Sequence, residues 1–241
     1  MREVLWERLR RTEIAEASKA GAIIILPVAS LEQHANHLSV NTDSNIVSTI
    51  AARAARAVHD FPVLVLPVLW TGYSPHHMAY PGSITLKYHT YVDVLTQVAA
   101  SVQAHGFRKI LLLNGHGGNS PIVAAMRTKL LNEDGISVVG TDYWTLPGMF
   151  QAMKVLCQTD RGFVGHAGEF ETSVQLHLQS ELVERAAAVW APGGLGDPSE
   201  ATEEKGRQLV EAAVEALAQF LRDYHTGELE KRLEWAKEIR R

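Results

Sequence analysis

Three short, nearly continuous apolar runs constrain the fold of this chain most. Residues 22–28 read Ala-Ile-Ile-Ile-Leu-Pro-Val, residues 63–68 Val-Leu-Val-Leu-Pro-Val, and residues 110–113 Ile-Leu-Leu-Leu. Runs of this length without polar alternation suit strands buried on both faces, as in a parallel sheet covered by helices. A fourth strand is predicted over 136–141. Helical spacing fills the intervals: an amphipathic helix over 4–19, an Ala-rich helix opening at Thr42 or Asp43 and running to about His59, and further helices over about 89–105 and 120–133. Another opens at Gly168 or Glu169 and runs toward Gln179, and a closing helix covers 200 to about 224. The alternation reads as βαβ units of the α/β class. Beyond Tyr143 the pattern loosens, and the turn-rich stretch 191–198 is a loop rather than a boundary. One domain over 1–241 is expected.

Charge and composition exclude several classes of function. Lys and Arg total 23 against 27 Asp and Glu, a net charge of −4, and no basic run tracks a phosphate backbone, so nucleic acid is not an expected partner. The N-terminal residues mix both charge signs through the apolar positions, and no apolar run approaches the ~20 residues that span a bilayer. Neither a signal peptide nor a membrane partner is expected. The single cysteine, Cys157, cannot form an internal disulfide and reads as an inert buried thiol in a reducing, cytoplasmic compartment.

Histidine points to the chemistry. There are 11 histidines, four of them in short stretches rich in Gly, Asn, Asp or Glu. Ligands of a parallel α/β sheet bind beyond the carboxyl ends of its strands. The first strand runs out into Ser30-Leu31-Glu32-Gln33-His34 and the third into Asn114-Gly115-His116-Gly117-Gly118-Asn119, so both clusters belong to one rim. Glu32 and His34 leave an extended backbone on the same side. Asp43, at the mouth of the next helix, suits either an ordinary N-cap or a carboxylate bridging two cations. The turn around His116 lacks both the spacing of a dinucleotide fingerprint and the Lys-Ser/Thr ending of a P-loop, which leaves a metal ligand or a surface histidine on a Gly turn. Glu169 and Glu171 open a helix, where the dipole favours acids whether or not they do chemistry. Charge favours a site: two divalent cations carry about +4, and Glu32, Asp43 and Glu169 with one hydroxide supply about −4. The long loop 70–87 carries Ser74, His76, His77, Met78 and Tyr80, and loops of this length are usually functional.

Together, residues 26–34 (Leu-Pro-Val-Ala-Ser-Leu-Glu-Gln-His), Thr42-Asp43, the Asn-Gly-His turn and Glu171-Thr172-Ser173 resemble creatininase and its relatives, over about residues 22–180. The resemblance implies a three-layer α/β/α sandwich with a mostly parallel central sheet. It also implies a site for two divalent metal ions, zinc, manganese or iron, and a homo-oligomer up to a hexamer or trimer of dimers. By matched position, Glu32 and His116 hold one metal and His34 the other, with Asp43 bridging. Creatininase takes a further glutamate from the position of Gly118. Here Glu169 stands where creatininase has an apolar residue, so Glu169 is expected to supply the missing carboxylate. His166 matches the family's catalytic histidine, a proton shuttle, and Trp144 matches an aromatic pocket wall or packs in the core. Ser74, His77 and Gly117 complete the expected substrate contacts.

Two departures argue against creatinine as substrate: Gly117 replaces an aromatic residue, and Gly162 falls where creatininase has a second tryptophan. The expected activity is therefore metal-dependent hydrolysis of a carbon–nitrogen bond in a small polar amide, cyclic amides included. Family relatives also include deformylases, a peptidase of modified peptides and a ring-opening hydrolase of keto-inositols. The alternative from another class is a non-catalytic nucleotide- or metal-binding α/β module using the Gly-rich turn.

Overall fold

The computed structural model describes residues 3–160, 165–229 and 231. Four parallel strands, β1 (Ile23–Val28), β2 (Val63–Val65), β3 (Lys109–Asn114) and β4 (Val138–Asp142), form one sheet in the order β2-β1-β3-β4. The apolar runs are central because successive side chains alternate between the faces and both faces are covered. Ile23, Ile25, Val63, Val65, Leu111 and Leu113 face a layer made by α2 (Thr42–Ala57), α5 (Pro147–Leu156), α6 (Glu169–Leu178) and α7 (Glu203–Thr226). Ile24, Leu26, Leu64, Ile110 and Leu112 face the opposite layer, made by α1 (Arg11–Lys19), α3 (Tyr88–Ala104) and α4 (Ser120–Lys129). The expected three-layer α/β/α sandwich with a parallel sheet is the observed architecture.

Three local expectations change. Residues 4–5 are extended rather than helical: the Val65 N–H donates to the Val4 carbonyl at 2.8 Å, and α1 starts only at Arg11. An edge strand with free backbone groups outcompetes the first helical turn. The second strand closes at Val65, because Pro67 has no N–H to continue the ladder. Finally, α5 occupies residues where the pattern had loosened; Pro147 at its first turn supplies the start, and Met149 and Met153 are its buried face.

Gly206 sets how tightly α7 packs on α6. A Cβ there would lie 1.8 Å from the Ser173 carbonyl oxygen, so only glycine permits the approach. That contact brings Lys205 beside the start of α6, with consequences for the site.

Candidate metal centre

The chain leaves β1 and β3 at the same edge of the sheet, and α2 and α6 begin there. Glu32 and His34 follow β1, His116 follows β3, Asp43 lies in the first turn of α2 and Glu171 in the first turn of α6. All five are buried. Asn114 builds the turn under His116: its side-chain oxygen accepts the His116 N–H at 3.1 Å and its amide donates to the His116 carbonyl at 2.7 Å.

The acids and imidazoles converge in two halves joined by Asp43. On one side, His116 Nδ1 lies 3.1 Å from Glu32 Oε2 and 3.2 Å from Asp43 Oδ2. On the other, His34 Nε2 lies 3.2 Å from Asp43 Oδ1 and 3.6 Å from Glu171 Oε2. Candidate ligand atoms of Glu32, His34 and Asp43 fall within 4.8 Å of one another, as do those of His34, His166 and Glu171.

The outward partners of the two imidazoles decide which nitrogen faces in. His34 Nδ1 is 3.1 Å from the Glu32 carbonyl oxygen, which only accepts, so Nδ1 bears the proton. His116 Nε2 is 3.0 Å from Ser74 Oγ and 3.3 Å from the Tyr73 carbonyl oxygen and is protonated in the same way. In the neutral rings, the inward nitrogens are therefore bare lone pairs aimed at carboxylate oxygens. Acceptor facing acceptor in a buried site is unfavourable unless a cation lies between. Glu32 Oε2, His34 Nε2 and Asp43 Oδ2 are also buried without a hydrogen-bond partner. The donor set fits divalent metal.

The ionisation of the cluster has the same origin. Burial alone would pull the His34 and His116 imidazoles down, yet Glu171 and Asp43 hold His34 well above its usual value, and Asp43 with Glu32 holds His116 up at about 10. Burial raises the Glu32 carboxyl, but the imidazolium that His116 becomes when protonated, with His34 and His77, brings it well below the carboxylate range. Protons here stand where metal charge would otherwise compensate the acids. Around the rim, burial outweighs the pull of Glu32 and lowers His77 to about 4, and burial with the charge of His34 lowers His166.

Glu169 does not join the cluster. Its Oε1 pairs with Lys205 Nζ at 2.6 Å, and its Oε2 accepts from the N–H groups of Gln158 and Thr159 at 2.7 Å and from Thr159 Oγ1 at 2.8 Å. Residues two apart on a helix point about 200° away from each other, so only one of Glu169 and Glu171 can face the site. Glu171 does, and its Oε2 also accepts the Ala167 N–H at 2.7 Å. At Gly118 a Cβ would stand 2.4 Å from His116 Nε2 and 2.5 Å from the Tyr73 carbonyl oxygen. The loop has taken that space, and no carboxylate fits there.

Beside the cluster lies a cavity of about 450 Å³. Its polar lining includes Glu32, Asp43, Glu171, His116 and His166, and its apolar lining Trp144, Phe150, Met153 and Leu195. His77 and Gly117 also line it, while Ser74 lies fully buried behind His116, holding that ring rather than facing the cavity. Gly162 lies outside the described residues. Gln33, which sequence reasoning passed over, is buried against both His77 and His166.

A buried cluster of three acids and two imidazoles at the carboxyl edge of a parallel sheet, opening on a small cavity, is an α/β-class site suited to hydrolysis. The family is specific: residues 7–221 match the family model described as creatininase, creatinine amidohydrolase, and the chain belongs to the creatininase family. A creatinine amidohydrolase of Pseudomonas putida is 27% identical over 92% of this chain and 95% of its own length. A mycofactocin precursor peptide peptidase of Mycobacterium tuberculosis is 30% identical over 80% of this chain and 81% of its own. A 3-dehydro-scyllo-inosose hydrolase of Thermotoga maritima is 30% identical over 77% of this chain and 60% of its own. Among solved structures, a manganese creatininase superposes with a TM-score of 0.79 at 26% identity, covering 92% of this chain and 98% of that one. A Zn–Zn-type mutant creatininase gives 0.80 at 26% identity, with the same coverage.

Proposed function

We propose that this chain is a two-metal amidohydrolase that cleaves a carbon–nitrogen bond in a small polar substrate. The observation that carries the reading is that the inward nitrogens of His34 and His116 face buried carboxylates, with Glu32 Oε2, His34 Nε2 and Asp43 Oδ2 left without a hydrogen-bond partner. Glu32, His116 and one oxygen of Asp43 would hold one divalent ion, and His34, Glu171 and the other oxygen of Asp43 the second. Zinc, manganese and iron all suit this mixture of imidazole and carboxylate. Bound there, the ions would polarise a carbonyl and lower the pKa of water.

The protein's own groups supply the rest. The three carboxylates contribute −3 against +4, so the loaded site favours one further negative charge, that of a nucleophile or a developing oxyanion. His166 Nδ1 lies 3.6 Å from Glu32 Oε1 in the polar lining of the cavity, where it can accept a proton from the nucleophile and return it to the leaving nitrogen. Its lowered pKa keeps the ring neutral and able to act as a base. Trp144 offers a flat face to a planar amide. Gly117 leaves the adjacent space open, which suits a substrate of different shape from creatinine. Exposed Met78, Ile84, Trp190 and Leu195 are apolar surface that a second copy would cover, in line with a homo-oligomer. No helix among the described residues is long and apolar enough to cross a membrane.

The test is hydrolysis of a panel of cyclic amides, N-formyl compounds and short peptides by protein stripped with chelator and then reloaded with zinc or manganese. At least one amide should be cleaved by the reloaded protein and by none of the stripped samples. Failure to take up metal, or turnover indifferent to chelation, would remove the two-metal reading.

A further inference from the structure

His77 and His166 stack at the edge of the site, with ring centroids 4.2 Å apart and planes 26° from parallel. Each turns one nitrogen to the same carboxylate oxygen: His77 Nε2 is 3.3 Å and His166 Nδ1 3.6 Å from Glu32 Oε1. Their other nitrogens both reach Gln33, and its hydrogen bonds settle what each ring presents.

The Gln33 amide has only one workable orientation. Its Oε1 accepts the Ala35 N–H at 2.9 Å, and its Nε2 donates to the Gly193 carbonyl at 2.8 Å. The first partner only donates and the second only accepts, so the amide cannot be turned over. Ala35 reaches back to Gln33 from a left-handed conformation, φ 52°, which a non-glycine residue adopts at a cost. The amide has two hydrogens. One is committed to Gly193, and the other points to His77 Nδ1 at 2.8 Å.

His77 Nδ1 must then accept, which leaves the proton of the neutral ring on Nε2, facing Glu32. His166 has the opposite arrangement. Its Nε2 lies 2.7 Å from the backbone carbonyl oxygen of Gln33, so Nε2 bears the proton and Nδ1 faces the site bare. Although Gln33 Nε2 also lies 3.0 Å from His166 Nε2, both atoms are donors there and no bond joins them.

We propose that Gln33 is a positioning residue that holds His77 and His166 in complementary roles, His77 presenting an N–H and His166 a lone pair to the same side of the metal site. Two consequences follow. With its Nε2 protonated, His77 cannot ligate metal, although Glu32, His77 and His166 could otherwise group around a cation. It is instead a hydrogen-bond donor for a substrate oxygen or for Glu32, while His166 is the proton acceptor. The catalytic part of this inference rests on the proposed hydrolase function; the assignment of protons does not.

Neutron diffraction from zinc-loaded, deuterium-exchanged crystals at neutral pH reads the assignment directly. In the wild type, deuterium is expected on Nε2 of both rings and on neither Nδ1. Gln33→Glu replaces the donor with an acceptor of the same shape, so deuterium on His77 should move to Nδ1, while His166, held by a backbone carbonyl, keeps its own on Nε2. On an amide substrate found in the panel, the variant should lose roughly 10–100-fold in kcat with zinc content unchanged, the usual range for residues that orient a metal site's groups. Deuterium on His77 Nδ1 in the wild type would overturn the proposal, and so would a His77 proton that stays on Nε2 in the variant. If Gln33→Glu does not fold, the wild-type map alone decides. A protein with the expected protons but no amide turnover would contradict the hydrolase function and leave the role of Gln33 standing.

Discussion

Glu169→Gln and Glu171→Gln should have opposite consequences, although the two residues are neighbours on one helical turn. Glu169 is fully buried and its carboxylate is saturated by Lys205, Thr159 and Gln158. The glutamine variant keeps an oxygen for the three donors on Oε2 but sets an amide against the Lys205 ammonium. Removing one partner of a buried pair costs about 3–5 kcal/mol. The Lys205 side chain is 18% exposed and also donates to the Glu200 carbonyl, so water and that oxygen offset part of the loss, leaving about 2–3 kcal/mol. For a chain of this size the melting temperature should fall by roughly 4–12 °C, with metal content unchanged. The sign with pH follows from the lowered Glu169 carboxyl: although burial opposes it, the Lys205 and Thr159 contacts hold it below 4.5. The stabilisation is therefore complete above pH 4.5 and fades as the pH falls through the lower folded value. Glu171→Gln should instead keep its melting temperature without metal and lose metal from the His34 side. Thermal unfolding together with elemental analysis separates the two. A Glu169→Gln protein that melts normally and loses metal would refute this division of labour.

Three further outcomes follow from the same geometry. Gly118→Ala places a methyl group 2.4 Å from His116 Nε2; it should destabilise the fold by about 1–3 kcal/mol and weaken metal retention, measured by denaturant unfolding and elemental analysis. Burial, with the charges of Glu169 and Asp160, pushes the Cys157 thiol up to about 12, so alkylation with iodoacetamide at pH 8 should be negligible in the folded protein and become rapid in denaturant. Because His116 is held at about 10 in the metal-free site, metal must displace its proton. Apparent zinc affinity should therefore rise about tenfold per pH unit for each proton released between pH 6 and 8, and calorimetry in buffers of different ionisation enthalpy should show the release.

The parts of this structure legible in the sequence are those governed by local rules. The buried runs at 22–28 and 110–113 could only be covered strands, and strand exits at a shared edge brought Glu32, His34 and His116 together. Asp43 was legible as a helix start, but its two-sided contact with His34 and His116 depends on how α2 meets the sheet. The choice of Glu169 over Glu171 went astray because charge counting does not specify helix phase. That phase is set by packing against α7, where Gly206 admits Lys205 to Glu169 from 36 residues away in sequence. Ser74 was expected to face substrate, whereas the fold of loop 70–87 turns it behind His116. Gln33 gave no signal of its own, since its role consists of contacts with residues 77, 166 and 193.

The central claim is a pair of divalent ions bound between Glu32, His34, Asp43, His116 and Glu171. Anomalous diffraction at the zinc edge, on crystals of protein loaded with zinc, tests it most directly. Two peaks are expected, one between Glu32, His116 and Asp43 and one between His34, Glu171 and Asp43. A map with no peak among these residues, or with zinc only beside Glu169, would contradict the account.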